Sequence, residues 1–166
     1  MSWTGTLLHI FVAERAAAPM CELKMVRLIE GVGLEGDRYA LGLGHYSTNP
    51  RPDRQVTLCE METLEALRRD YQIGLTPAET RRNLITLDVP LNHLVGRRFR
   101  VGEAVLYGAR LNIPCQYLED LLGKPVLKPL LHRSGLNCQI VEGGVIRPGD
   151  VIQPAADLPT LEGPGL

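Results

Sequence analysis

Apolar and polar residues alternate along most of this chain, in short stretches bounded by glycine and proline. Thr4 to Val12 (TGTLLHIFV) predicts a first strand, and Val26 to Ile29 a second in which the alternation is broken. Gln55 to Cys59, Leu84 to Leu87, Ala104 to Asn112 and Leu136 to Val141 predict further strands by alternation and β-branching. Val95 to Gly102 alternates into a glycine turn and predicts a hairpin with Ala104 to Asn112. After the tight turn Glu142-Gly143-Gly144, Val145-Ile146 and then Val151-Ile152 predict short returning strands.

The period changes in few places. Met61, Leu64, Leu67 and Tyr71 form one apolar stripe at helical spacing, with Arg68, Arg69 and Asp70 at its polar end. Thr76-Pro77-Ala78-Glu79 is a capping box with proline at the first helical position, so a short helix is expected there. Leu118, Leu121 and Leu122 predict one or two helical turns closed by Gly123. Strands outnumber helices and turns recur closely, which predicts a mainly β, barrel-like domain with a few short helices. Residues 1–154 form a single domain, and 155–166, rich in proline and glycine, is expected to be a frayed tail.

Composition narrows the function classes. The 18 Lys and Arg nearly balance 19 Asp and Glu, so no chain-wide basic field argues for nucleic acid. No apolar run approaches the roughly 20 residues of a membrane span, and the N-terminus lacks a signal-peptide layout, so a cytoplasmic protein is expected. The four cysteines, Cys21, Cys59, Cys115 and Cys138, have no metal-ligand or disulfide-framework spacing and are expected to be free thiols. Cys59 and the Met61 to Tyr71 stripe read as core, whereas Cys138 can face either side of its strand.

Candidate chemistry gathers at a few points. Pro114 ends the Ala104 to Asn112 strand, leaving Cys115 at a strand end close to a helix start. There a thiol is readily held as the nucleophilic, metal-binding thiolate; a small buried hydrophobe is the alternative. Arg81-Arg82-Asn83 sits at a helix-to-strand junction, either as a fork for phosphate or carboxylate or as a solvated basic turn. Gly31, Gly33 and Gly36, with Asp37 and Arg38, form a turn that does not match a dinucleotide fingerprint. Leu41 to Arg54 has the composition of a mobile loop, in which His45 and Tyr46 either contact a ligand or have no role. No Ser/His/Asp set or carboxylate pair stands out, which disfavours hydrolase chemistry.

Four pieces in order, GLEGDRY, ETRRNLIT, IPC and RSGLNCQIVEGGVIRPGDVI, resemble the MOSC family, the molybdenum cofactor sulfurase C-terminal domain. None is specific alone; their order and spacing from Gly31 to Ile152 carry the resemblance. The resemblance implies a strand-rich barrel. It implies that Cys115 is a sulfur carrier or the thiolate ligand to molybdenum in bound molybdopterin. Arg81 and Asn83 fall on the family's Arg-x-Asn motif, Gly36 and Asp37 on its Gly-Asp motif, and Arg133 on an arginine that follows the cysteine.

Stand-alone bacterial members are similar in length, and some are linked to reduction of N-hydroxylated compounds such as hydroxylaminopurines. The expectation is therefore a molybdopterin-dependent reductase acting on a small molecule, with an external electron donor. A sulfur or cofactor carrier, fed by a sulfur-donor protein and without turnover of its own, is the alternative. No pyridoxal-phosphate domain and no ferredoxin-like extension is recognisable in these 166 residues.

Overall fold

The computed structural model describes residues 2–156. Nearly all of the expected frayed tail, from residue 157 onward, lies outside them. The described residues hold eleven strands, two α-helices and three single turns of 3₁₀ helix. The strands are β1 (Gly5–Val12), β2 (Cys21–Leu23), β3 (Val26–Ile29), β4 (Gly33–Leu34), β5 (Val56–Glu60), β6 (Leu84–Leu87), β7 (Arg98–Val101), β8 (Ala104–Leu111), β9 (Leu136–Glu142), β10 (Gly144–Ile146) and β11 (Val151–Pro154). The helices are α1 (Met61–Tyr71) and α2 (Gln116–Leu122).

The sheet runs β11-β7-β8-β9-β5-β6-β1, and β11 pairs again with β1, so seven strands close into a barrel with β2 added outside β1. Closure removes the free edges that an open sheet of these strands would expose. All neighbours in the barrel are antiparallel except β5 and β6. That parallel pair needs a crossover, and α1 supplies it. A smaller sheet, β10-β3-β4, is hydrogen-bonded separately and packs Val26, Leu28, Leu34 and Ile146 into the same core.

Alternation sends one side chain in two to the interior. Leu7, Ile10, Val56, Leu58, Leu84, Phe99, Leu106, Leu136, Cys138 and Ile152 meet there, all fully buried. Each such side chain contributes about 1.5–3 kcal/mol of burial before entropy is counted. Gly135 is required where β9 begins, because its φ of +113° is left-handed and a Cβ would strike the Leu58 carbonyl. Outside the barrel, Leu64 and Leu67 of α1 pack with Leu118 of α2, Val126 and Leu130, and Cys115 leans on this cluster. Cys59 is buried in a third cluster with Phe11 and Ile85. No helix among the described residues is long and apolar enough to cross a membrane.

Two expectations change in detail. The capping box forms, with Thr76 N–H donating to Glu79 at 3.0 Å and Glu79 N–H to Thr76 at 3.3 Å. It starts only a 3₁₀ turn, Ala78–Thr80, because Arg81 turns left-handed at φ +58° and the chain enters β6. The Leu41 to Arg54 segment has one regular piece, the 3₁₀ turn Pro52–Arg54, and is tied down by side chains. Arg54 donates to the carbonyls of Tyr46 and Asn49, Ser47 accepts the Gly44 N–H, and His45 stacks on Tyr117 of α2 at 3.8 Å.

Candidate functional site

A cavity of about 290 Å³ opens where the wall of β5, β9 and β8 meets the loop from Arg38 to Arg54 and the turn from β8 into α2. Its floor is a cross-strand row. Thr57 of β5 lies opposite Asn137 of β9, which lies opposite Arg110 of β8. Alternation puts their neighbours Val56, Leu58, Leu136 and Cys138 in the barrel core, so this polar row faces outward.

Cys115 stands at the rim. β8 ends at Leu111, Asn112 N–H donates to the Gly135 carbonyl, and Ile113-Pro114 carries the chain over the cavity. Cys115 is then the N-cap of α2, in extended conformation. Its thiol is partly exposed, whereas Cys59 and Cys138 are buried. Burial pushes the Cys59 thiol up to about 11 and the Cys138 thiol well above its usual value. Tyr46 and Cys115 line the same cavity. Burial first, then the neighbouring Cys115 side chain, pushes the Tyr46 phenol up to about 12, so it stays protonated.

Five arginines line the same cavity, Arg38, Arg54, Arg81, Arg82 and Arg110, and no carboxylate does. Two of them have acidic partners behind the wall: Arg38 pairs with Asp37 at 3.1 Å, and Arg110 with Asp53. The other three are held by neutral groups. Arg81 donates to the Ala18 carbonyl at 2.8 Å. Arg82 donates to Ser134 and to the Asn112 side chain at 2.6 Å. Burial, followed by repulsion from Arg38, lowers the Arg81 pKa; burial also lowers that of Arg82. Guanidinium stays charged through such shifts, so the cavity keeps uncompensated positive charge.

The sequence-predicted residues separate into three groups. Cys115 and Arg81, 34 positions apart in the chain (115 − 81), line one cavity. Asn83 and Asp37 stand behind the wall. Asn83 is 1% exposed; its Oδ1 accepts from the Thr57 N–H and hydroxyl, and its Nδ2 donates to the Phe11 carbonyl. Asp37 is fully buried and accepts from Ala13 N–H, Tyr39 N–H and the Arg38 guanidinium. Gly36 makes the turn before it at φ +82°. Arg133 lies elsewhere, 3.8 Å from Asp70, and does not line the cavity.

Sequence reasoning missed Arg110, Arg54 and Asn137 as wall residues. Asn137 is 3% exposed, and its orientation follows from a relay. Arg82 can only donate, so the Asn112 oxygen faces it; the Asn112 nitrogen then donates to Asn137 Oδ1 at 2.8 Å. The Asn137 amide nitrogen is left as a further donor on the cavity floor. The polar, outward position of Asn137 in the alternating strand Leu136–Glu142 was the one available signal.

The donor set suits a metal that arrives with its own organic ligand. Among the described residues no three His, Cys, Asp or Glu side chains converge to hold a bare ion. One soft thiol and an anion-binding wall match a molybdenum bound by a phosphorylated pterin.

YuaD from Bacillus subtilis is similar in fold, with a TM-score of 0.74 at 18% identity over 93% of this chain and 100% of that one. YiiM from Geobacillus stearothermophilus follows, with 0.71 at 15% over 92% and 75%, and YiiM from Escherichia coli, with 0.68 at 17% over 95% and 71%. No curated protein matches the chain. The family model for the MOSC domain matches residues 44–153, which include Arg54, Arg81, Arg82, Arg110, Cys115 and Asn137. The chain therefore belongs to the MOSC domain family, a family associated with molybdenum cofactor binding.

Proposed function

We propose that the arginine-lined cleft holds a molybdenum cofactor with Cys115 as protein ligand to the metal, and that the loaded protein reduces N-hydroxylated compounds. The observation that carries this reading is the convergence of one accessible thiol and five guanidinium groups in a cavity without a carboxylate. Arg81 and Arg82 hold the pterin phosphate, since charge-assisted bonds from planar guanidinium groups suit it. Asn137 and Thr57 offer polar contacts on the floor. Asp37 and Asn83 brace the wall from behind, and Tyr46 stands in the same cavity as Cys115.

The cofactor, when bound, supplies two-electron oxygen-transfer chemistry at the metal. In the overall reaction R–NHOH takes up two electrons and two protons, the N–O bond breaks, and R–NH2 and water leave. The electrons come from an external donor protein.

The test is reduction of a hydroxylaminopurine with a reduced viologen as donor, using protein from hosts that do and do not make the cofactor. Turnover is expected only in the first case and is lost in Cys115→Ser. Equal turnover from both hosts contradicts the reading. Labile sulfane sulfur on Cys115 without turnover replaces it with a sulfur carrier.

A further inference from the structure

The C-terminal ends of β5 and β6 gather three oxygen-bearing side chains that do not line the arginine-lined cleft. β5 and β6 are the parallel pair of the barrel, and Glu60 lies opposite Thr86 in their register. Alternation carries both side chains to the side that Leu58 and Leu84 take two residues earlier, which is the barrel interior. Glu62, in the first turn of α1, reaches the same place. Its Oε2 accepts the Asp88 N–H at 2.9 Å, just beyond Thr86.

These oxygens are not spent on the protein. Glu60 is the N-cap of α1, yet its carboxylate makes no capping bond to the helix. Thr86 is fully buried, and its hydroxyl has no hydrogen-bond partner among the described residues; neither has the buried Oε1 of Glu62. No Lys, Arg or His among the described residues pairs with either carboxylate. A buried oxygen without a partner costs stability, and a carboxylate oxygen costs more than a hydroxyl. The two carboxylates also repel: burial first, then the charge of Glu62, pushes the Glu60 carboxyl up to about 7.

One bound cation answers all of these deficits. The donors are hard oxygens, with no nitrogen or sulfur among them, which favours calcium or magnesium over zinc or copper. Only two carboxylates converge, so the third donor is the threonine hydroxyl, and the half-buried Glu60 and Glu62 leave the outer positions to water. Calcium tolerates such a mixed shell, whereas magnesium demands a near-ideal octahedron.

We propose that Glu60, Glu62 and Thr86 form a calcium site that ties the first turn of α1 to the ends of β5 and β6. The two carboxylates supply the charge, and Thr86 Oγ1 supplies the neutral ligand from the barrel interior. The site is structural and is independent of the cofactor reading of the cleft.

The test is thermal unfolding of the full chain at pH 8, first with a chelator and then across a calcium series, with titration calorimetry for stoichiometry. One calcium per chain is expected. Tm is expected to rise by about 5–10 °C at a hundredfold excess over Kd, the yield of mass action on a domain of this size. Magnesium is expected to give a smaller rise. Glu60→Gln and Glu62→Gln each remove one ligand charge and are expected to abolish the calcium effect. Thr86→Val keeps the shape and removes only the hydroxyl, so it is expected to fold and to bind calcium roughly ten- to a hundredfold more weakly.

No saturable rise up to about 10 mM calcium, above the range of protein calcium sites, overturns the proposal. A rise that survives unchanged in Glu60→Gln or in Thr86→Val also overturns it, because the ion then binds elsewhere. Should a glutamine variant not fold, calorimetry on Thr86→Val decides the same question.

Discussion

Asn83 separates a brace from a contact, and Asn83→Ala is the perturbation that shows which it is. The side chain is 1% exposed and holds two strands together. Its oxygen accepts the Thr57 N–H at 3.1 Å, and its nitrogen donates to the Phe11 carbonyl at 3.1 Å. Alanine leaves that N–H and that carbonyl buried without partners, at about 1–3 kcal/mol each, so a loss of about 3 kcal/mol is expected. For a domain of this size that corresponds to a fall in Tm of about 6–12 °C. Thermal unfolding followed by circular dichroism reads the shift, and pterin content per folded chain is measured below the new transition. The account expects a large drop in Tm with near-normal pterin content. An unchanged Tm with lost pterin would show that Asn83 touches the cofactor and that its place behind the wall was misread.

Three further perturbations test other parts of the account. Arg81→Ala removes a guanidinium whose only described partner is the Ala18 carbonyl, so cofactor affinity is expected to fall roughly ten- to a hundredfold; pterin retention during gel filtration reads this, and full retention would remove Arg81 from the clamp. Timed alkylation with iodoacetate is expected to label Cys115 ahead of the exposed Cys21, because the positive cavity concentrates an anionic reagent, and the advantage should shrink in salt and with neutral iodoacetamide; first labelling at the buried Cys59 or Cys138 would contradict the placement of the thiols. Burial first, then the charge of Glu62, pushes Glu60 from 4.5 to about 7. Between those values the folded chain holds a proton that the unfolded chain releases, so stability is full below the lower value and declines as pH rises through the upper one. Glu60→Gln is expected to match the parent near pH 5 and exceed it near pH 8 in urea melts, and an equal response at both would remove Glu60 as the source.

Local pattern made much of the barrel legible. Met61 to Tyr71 and Leu84 to Leu87 form over the residues that the helical stripe and alternation assigned to them, and Val26 to Ile29 forms although its alternation is broken. The strands missed, Cys21–Leu23 and Gly33–Leu34, are three and two residues long, too short for periodicity to register. The site was legible only in part, because its geometry is made by closure. Arg110, Asn137 and Thr57 become a row only when β8, β9 and β5 pair, and nothing near Arg110 in the chain signals that register. Cys115 and Arg81 could be named from motif, yet the same motif named Asn83 and Asp37, whose polar atoms turn inward to hold the wall. A motif marks residues that a site needs and does not distinguish those that touch the ligand from those that hold the ones that do.

The central claim is that this cleft holds a molybdenum cofactor through Cys115, and its most direct test is molybdenum and pterin per chain in protein from a cofactor-producing host. The measurement compares the parent with Cys115→Ser. Serine is nearly isosteric, so the fold is expected to survive within about 1 kcal/mol. The account predicts near-stoichiometric molybdenum and pterin in the parent, and pterin retained with reductase turnover lost in the serine variant. A parent without molybdenum or pterin would contradict it, and so would a serine variant that keeps both metal and full turnover.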